Sequence, residues 1–63
     1  MMSGANTSGY YIVTNKLRET EIYLILISGY SPFLKIEVIW DCYKNKIVSD
    51  DCLKGKTFNW VLQ

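Results

Sequence analysis

Residues 21–28 read E-I-Y-L-I-L-I-S, and this segment decides the fold class of the chain. It holds six large apolar residues in succession, three of them isoleucine. β-Branched side chains, and a run that is apolar on both faces, favour a buried strand. A helix over residues 15–28 is the alternative, since Gly29 and Pro32 would end it well, but its apolar side chains would surround the whole helix. The segment therefore predicts a strand, and an α+β fold with a helix at about 15–28 is the second choice.

A second strand is predicted just downstream, after the turn signal G-Y-S-P at residues 29–32. Residues 33–43 read F-L-K-I-E-V-I-W-D-C-Y, and their side chains alternate between two faces. The alternation assigns one set to the core, namely Leu34, Ile36, Val38, Trp40 and Cys42. It assigns the other set to the outer face, namely Phe33, Lys35, Glu37, Ile39, Asp41 and Tyr43.

Shorter patterns predict the remaining strands, at residues 10–14, 46–48 and 56–62. A tight reversal at Lys44 and Asn45 precedes the second of these, and a single helical turn ending at Gly55 precedes the third. In the last strand the alternation places three residues in the core: Phe58, Trp60 and Leu62. Four to five short strands with short connections predict an all-β fold, either a small antiparallel meander or an SH3-like or OB-like barrel.

The length of 63 residues leaves room for a single domain. Residues 1–8 are small and polar and predict a flexible N-terminal tail, so the domain itself spans residues 9–63. A chain this short buries only about 60% of its unfolded surface, so a disulfide, a metal or a partner subunit would add needed stability. The N-terminal residues have neither the basic nor the apolar segment of a secretory signal, so we expect a cytoplasmic protein that does not bind membranes.

Residues 41–58 contain both cysteines and four of the six lysines, but no known catalytic or metal-binding pattern. A phosphate-binding loop would need glycine at Asp50, and a calcium loop would need oxygen ligands where Cys52 and Lys54 stand. The chain has no histidine to complete a zinc site or to activate a cysteine. We therefore expect no enzymatic activity, metal or cofactor. Free thiols are favoured over a disulfide between Cys42 and Cys52, although the pairing stays open.

The apolar residues exceed what one face of a sheet can hide, because residues 22–27 are apolar on both faces and the outer face of residues 33–43 also carries apolar side chains. This surplus predicts a second face that is covered by a homodimer or by another protein. A closed barrel, or an N-terminal segment folded over the sheet, would also account for it. The candidate protein-binding residues are Tyr30, Phe33, Ile39, Tyr43, Lys44 and Lys46.

A nucleic-acid-binding barrel is the alternative function. Lysines beside aromatic residues let small barrels follow phosphates and stack bases. The candidate residues are Tyr43, Lys44, Lys46, Lys54 and Lys56. A net charge of +1 is far from the strongly basic footprint of most such proteins, which is why this function ranks second.

The preferred hypothesis is a small protein-protein interaction module. Residues with A/T-rich codons (Phe, Tyr, Met, Ile, Asn and Lys) greatly outnumber Gly, Ala, Arg and Pro. Such a bias is typical of many phages, other large viruses and some low-GC bacteria. The composition is therefore consistent with a phage or viral accessory protein that binds and modulates, or inhibits, a protein in the host cytoplasm.

Overall fold

The computed structural model describes residues 4–63, which form five strands. The strands are β1 (Gly9–Asn15), β2 (Ile22–Ser28), β3 (Lys35–Asp41), β4 (Lys46–Ile47) and β5 (Phe58–Leu62). A single 3₁₀ turn, Asp50–Leu53, lies between β4 and β5. All pairings are antiparallel, in the order β4-β3-β2-β1-β5, and the sheet is open. The small antiparallel meander is therefore confirmed, and residues 22–28 form a strand rather than a helix.

The core lies on one face of this sheet, where the alternation of β1 and β2 is regular. The fully buried side chains at its centre are Val13, Ile25 and Ile27. The connection from β4 to β5 joins the two edges of the sheet and covers this face, and its Leu53 is buried in the core. Phe58 and Trp60 pack against the core as predicted, whereas Leu62 is half exposed because it ends an edge strand.

The N-terminal segment forms part of the cover over the core. Residues 1–3 of the predicted tail lie outside the described residues, but Ala5 is buried and the Tyr11 hydroxyl donates a 2.7 Å hydrogen bond to the Thr7 carbonyl. A Cβ on Gly4 would lie 2.3 Å from Cδ1 of Trp60, so the absence of a side chain lets the backbone lie on the indole. Gly4, Ala5 and Thr7 thus contact the domain, although residues 6–8 are exposed, and the flexible tail over residues 1–8 stays a prediction.

A β-bulge in β3 interrupts the alternation that the sequence predicted. The paired positions around it are Leu26 with Val38, and Ile27 with Ile36. Glu37 is therefore an extra residue that has no partner in β2. An extra residue reverses the faces on one side of the bulge, so residues 34 and 36 keep their predicted core-side position while those after Glu37 exchange faces.

This exchange corrects several predicted positions in β3. Ile39 and Asp41 were predicted on the outer face but are buried, with Ile39 only 3% exposed. Val38 and Trp40 were predicted in the core but lie on the opposite, uncovered face. Cys42 was also predicted in the core, but it lies in the turn after β3 and is exposed.

Candidate functional site

The face of the sheet opposite the core carries an apolar surface that the described residues leave uncovered. One row of directly paired residues crosses all five strands: Val61, Ile12, Leu24, Trp40 and Ile47. A second row crosses three strands: Tyr10, Leu26 and Val38. These eight residues are called the apolar sheet face below. With strands about 4.8 Å apart, the longer row spans about 19 Å.

The apolar sheet face has a recess as well as projecting side chains. Its five most exposed residues, which are Tyr10, Val38, Trp40, Ile47 and Val61, have exposed fractions between 37 and 66%. Leu24 and Leu26 are half-buried and lie lower, between the neighbouring side chains. Together with Tyr10, Val38 and Trp40 they line a shallow cavity of about 210 Å³. A partner side chain of apolar character fits such a recess.

None of the eight residues of the apolar sheet face is charged. At one end of the face, the next row of paired residues is also uncharged and consists of Asn59, Thr14 and Ile22. At the opposite end, Lys35 and Glu37 form an ion pair of 3.3 Å beside the bulge. The Ser28 hydroxyl and the Lys35 ammonium hold the pKa of Glu37 below its ordinary value. The face therefore offers apolar contact and nothing for a phosphate or another strong anion.

The predicted protein-binding residues do not form a single patch. Tyr30 and Phe33 are exposed in the loop between β2 and β3, at one end of the sheet. The other exposed candidates, Tyr43, Lys44 and Lys46, lie in and after the turn between β3 and β4 at the other end. The length of β3, about 20 Å, separates the two groups. Ile39, the remaining candidate, is in the core and is not available for contact.

A polar cleft of about 570 Å³ lies at the β3–β4 end of the sheet. Its lining residues are Arg18, Thr20, Glu21, Tyr23, Asp41, Tyr43, Lys44 and Lys56. Asp41 is buried, and its Oδ1 accepts hydrogen bonds from the backbone N–H groups of Tyr43 (2.9 Å) and Lys44 (3.0 Å). This carboxylate thus fixes the turn after β3, together with Asn45 in the left-handed region at a φ of 55°.

Glu21 organises the other wall of the polar cleft. Its carboxylate accepts hydrogen bonds from Lys56 Nζ (2.8 Å), the Tyr23 hydroxyl (2.8 Å) and Asn15 Nδ2 (3.1 Å). The Lys56 ammonium is the main reason that the pKa of Glu21 lies below its ordinary value. Burial, and then the bond to Glu21, raise the pKa of Tyr23 well above its ordinary value. Both acids of the cleft are therefore occupied by structural contacts.

The lysines of the alternative nucleic-acid site are partly neutralised. Lys56 is paired with Glu21, and Lys54 lies 2.9 Å from Asp51. Tyr43, Lys44 and Lys56 do meet in the polar cleft, and Arg18, which the sequence patterns did not single out, joins them there. Two paired lysines out of four weaken the predicted phosphate-binding surface.

The cysteines and acidic residues form no reactive cluster in the part of the chain that the structure describes. Cys42 and Cys52 are free thiols, and burial raises the pKa of Cys52, which disfavours its reactive thiolate. Among residues 4–63 there is no group of three metal-ligating side chains. Over the same range there is no helix long and apolar enough to cross a membrane.

Sequence patterns missed most of the apolar sheet face, although they contained one signal for it. Alternation within residues 21–28 places Leu24 and Leu26 on the other face of the strand from the buried Ile25, and a sheet covered on one side only cannot hide both sets of side chains.

Searches of protein-family models, curated proteins and solved structures found no match for this chain. Its function therefore has to be inferred from the two surfaces described above.

Proposed function

We propose that this protein is a small protein-protein interaction module that binds its partner through the apolar sheet face. The observation that supports this proposal is the uncharged row that crosses all five strands, from Val61 to Ile47. Monomeric proteins rarely expose a contiguous apolar patch of more than a few hundred Å². A surface of this kind, on a rigid sheet, is typical of an interface.

The residue types on the face are those that contribute most to binding. Trp40 and Tyr10 are large side chains with little conformational entropy to lose, and aromatic residues of this kind dominate interface energetics. Full burial of an exposed large apolar side chain contributes about 1.5–3 kcal/mol, and Trp40 and Tyr10, which are 37% and 55% exposed, retain about a third to a half of that gain. β2 and the neighbouring strands hold these side chains in place, so little ordering is needed on binding.

Affinity capture from a lysate of the natural source, with and without nuclease, tests this function. The tagged chain is compared with Trp40→Glu, which places a charge on the apolar sheet face. The matched control is Tyr30→Glu, which places the same charge at the position of another aromatic residue. Tyr30 lies in the loop between β2 and β3 and is 87% exposed. We expect a stoichiometric protein with the unmodified chain and with Tyr30→Glu, and its loss with Trp40→Glu. Circular dichroism establishes that both variants are folded.

Two results would contradict the proposal. Equal capture by both variants would mean that the apolar sheet face is not the binding surface. Capture that disappears with nuclease would instead favour the nucleic-acid alternative, with Tyr43, Lys44 and Lys56 in the polar cleft. The identity of the captured protein would also test whether the chain modulates a host protein as a phage or viral accessory factor, with which its amino-acid composition is consistent.

A further inference from the structure

We propose that the partner on the apolar sheet face is a second copy of this chain, packed face to face about a two-fold axis that runs along β2. This inference rests on the proposed function and names the partner of the same face. The resulting dimer is a β-sandwich in which the two uncovered faces form a shared inner layer. Sheets packed in this way lie about 10 Å apart, and an axis inclined by about 15° to β2 sets their strands about 30° from parallel.

The layout of the sheet suits such a two-fold axis. β2 is the third of five strands in the order β4-β3-β2-β1-β5, and Leu24 is the third of five residues in the longer row. Rotation about β2 places each row over the same row of the second copy. Leu24 then meets its own counterpart, and Ile47 at one edge meets Val61 at the other. Every apolar residue of the face is thereby opposed by an apolar residue, as an isologous interface requires.

The charge distribution also favours a second copy. A face without charged side chains needs a partner surface that is equally uncharged, because a charge buried opposite it would remain unpaired. The face itself meets this condition. The ion pair of Lys35 and Glu37 at its end is neutral as a unit, so two copies bring no net like charge together.

The dimensions of the molecule limit the interface that this side of the sheet can form. The molecule measures 29 × 21 × 21 Å, so one of its sides has a projected area of roughly 440–600 Å². A standard interface buries about 800 Å² of accessible surface per partner, and accessible area exceeds projected area on a surface with recesses and projecting side chains. In the dimer, the second copy also covers the apolar sheet face, which a chain of 63 residues leaves without a packed layer of its own.

Charge-pair substitution at Leu24 tests this arrangement, because the axis brings the two Leu24 side chains together. Light scattering coupled to size exclusion, from micromolar to millimolar chain concentration, gives the mass of each sample. We expect the unmodified chain to have twice its chain mass of 7.3 kDa at the upper concentrations. Leu24→Lys alone and Leu24→Glu alone should have the mass of a single chain. An equimolar mixture, with one variant tagged, should recover the doubled mass and yield the untagged variant on capture.

Each other outcome overturns the inference. An unmodified chain that stays at 7.3 kDa throughout rules out the second copy, and this result needs no folded variant. A doubled mass that both single variants retain places the dimer on another surface. If the unmodified chain is a single chain while Trp40→Glu still loses a captured protein, the interaction function stands and only the second copy is wrong. If neither association is seen, both proposals fail.

Discussion

At the scale of single residues, Glu21 is the side chain with the most specific set of contacts. Its carboxylate binds Lys56, Tyr23 and Asn15, and thereby connects the loop after β1 with β2 and the segment before β5. Only 14% of the Glu21 side chain is exposed, whereas Lys56 is 40% exposed, so solvent screens this ion pair in part. The three bonds stabilise the ionised carboxylate, which is why the pKa of Glu21 is lowered.

We expect Glu21 to make folding stability depend on pH. Its folded pKa is lowered from the ordinary value of a glutamate, so its contribution to stability is present above that ordinary pKa and is lost as the pH falls through the lowered folded pKa. Glu21→Gln should cost about 1 kcal/mol near neutral pH, because one charge-assisted bond is lost, and should reduce the loss of stability on acidification. Urea unfolding at about pH 7 and at about pH 3 measures both effects.

The matched control for this prediction is Glu19→Gln, since Glu19 is exposed in the same loop. It should leave the free energy of unfolding within about 0.5 kcal/mol of the unmodified chain. An equal pH dependence in the unmodified chain and in Glu21→Gln would mean that the hydrogen bonds of Glu21 contribute nothing to acid sensitivity.

At the scale of secondary structure elements, the bulge at Glu37 decides which residues of β3 form the apolar sheet face. Without it, the alternation that runs back from Ile39 would place Glu37 opposite Ile27, in the core. The extra residue keeps this carboxylate at the surface, where it pairs with Lys35. It thereby lets Ile36 contribute to the core while Val38 and Trp40 remain on the uncovered face.

Two single-residue deletions in β3 should have opposite consequences. Removal of Glu37 leaves Val38 opposite Leu26 and Ile36 opposite Ile27, so the strand becomes regular and we expect a cost below about 1 kcal/mol. Removal of Ile36 instead brings Glu37 or Lys35 opposite Ile27 and should destabilise the chain by at least about 3 kcal/mol, since a charge is buried without a partner. Thermal unfolding followed by circular dichroism compares the two. Equal destabilisation would mean that the bulge is required for folding.

The same bulge explains how far the sequence could predict the fold and the site. The strands and the 3₁₀ turn follow from local alternation, from the run at residues 21–28 and from turn residues, and their bounds agree within a few positions. The position of a bulge depends on how β2 pairs with β3, which leaves no local signal in F-L-K-I-E-V-I-W-D-C-Y. The surplus of apolar surface was therefore predictable, but its assignment to Ile39 rather than to Val38 and Trp40 was wrong.

At the scale of the whole molecule, the chain has one sheet with two apolar faces and a single cover. The connection between β4 and β5, with Leu53, and the N-terminal segment, with Ala5, cover one face. Five short strands leave no further segment in residues 4–63 to cover the other. A small domain with this arrangement is marginally stable alone, so association through the uncovered face and folding should be thermodynamically linked.

This linkage predicts that the thermal midpoint depends on protein concentration. A tenfold rise in protein concentration stabilises the dimer relative to separate chains by about 1.4 kcal/mol, or by about half of that per chain. For a domain of this length the midpoint should then rise by about 3–6 °C for each tenfold increase, over the range where the dimer predominates. Leu24→Lys should show a lower midpoint that is independent of concentration, because its charge prevents association without entering the core. Calorimetry of both proteins over a hundredfold range of concentration measures this, and a constant midpoint for the unmodified chain would show that its folding is not linked to self-association.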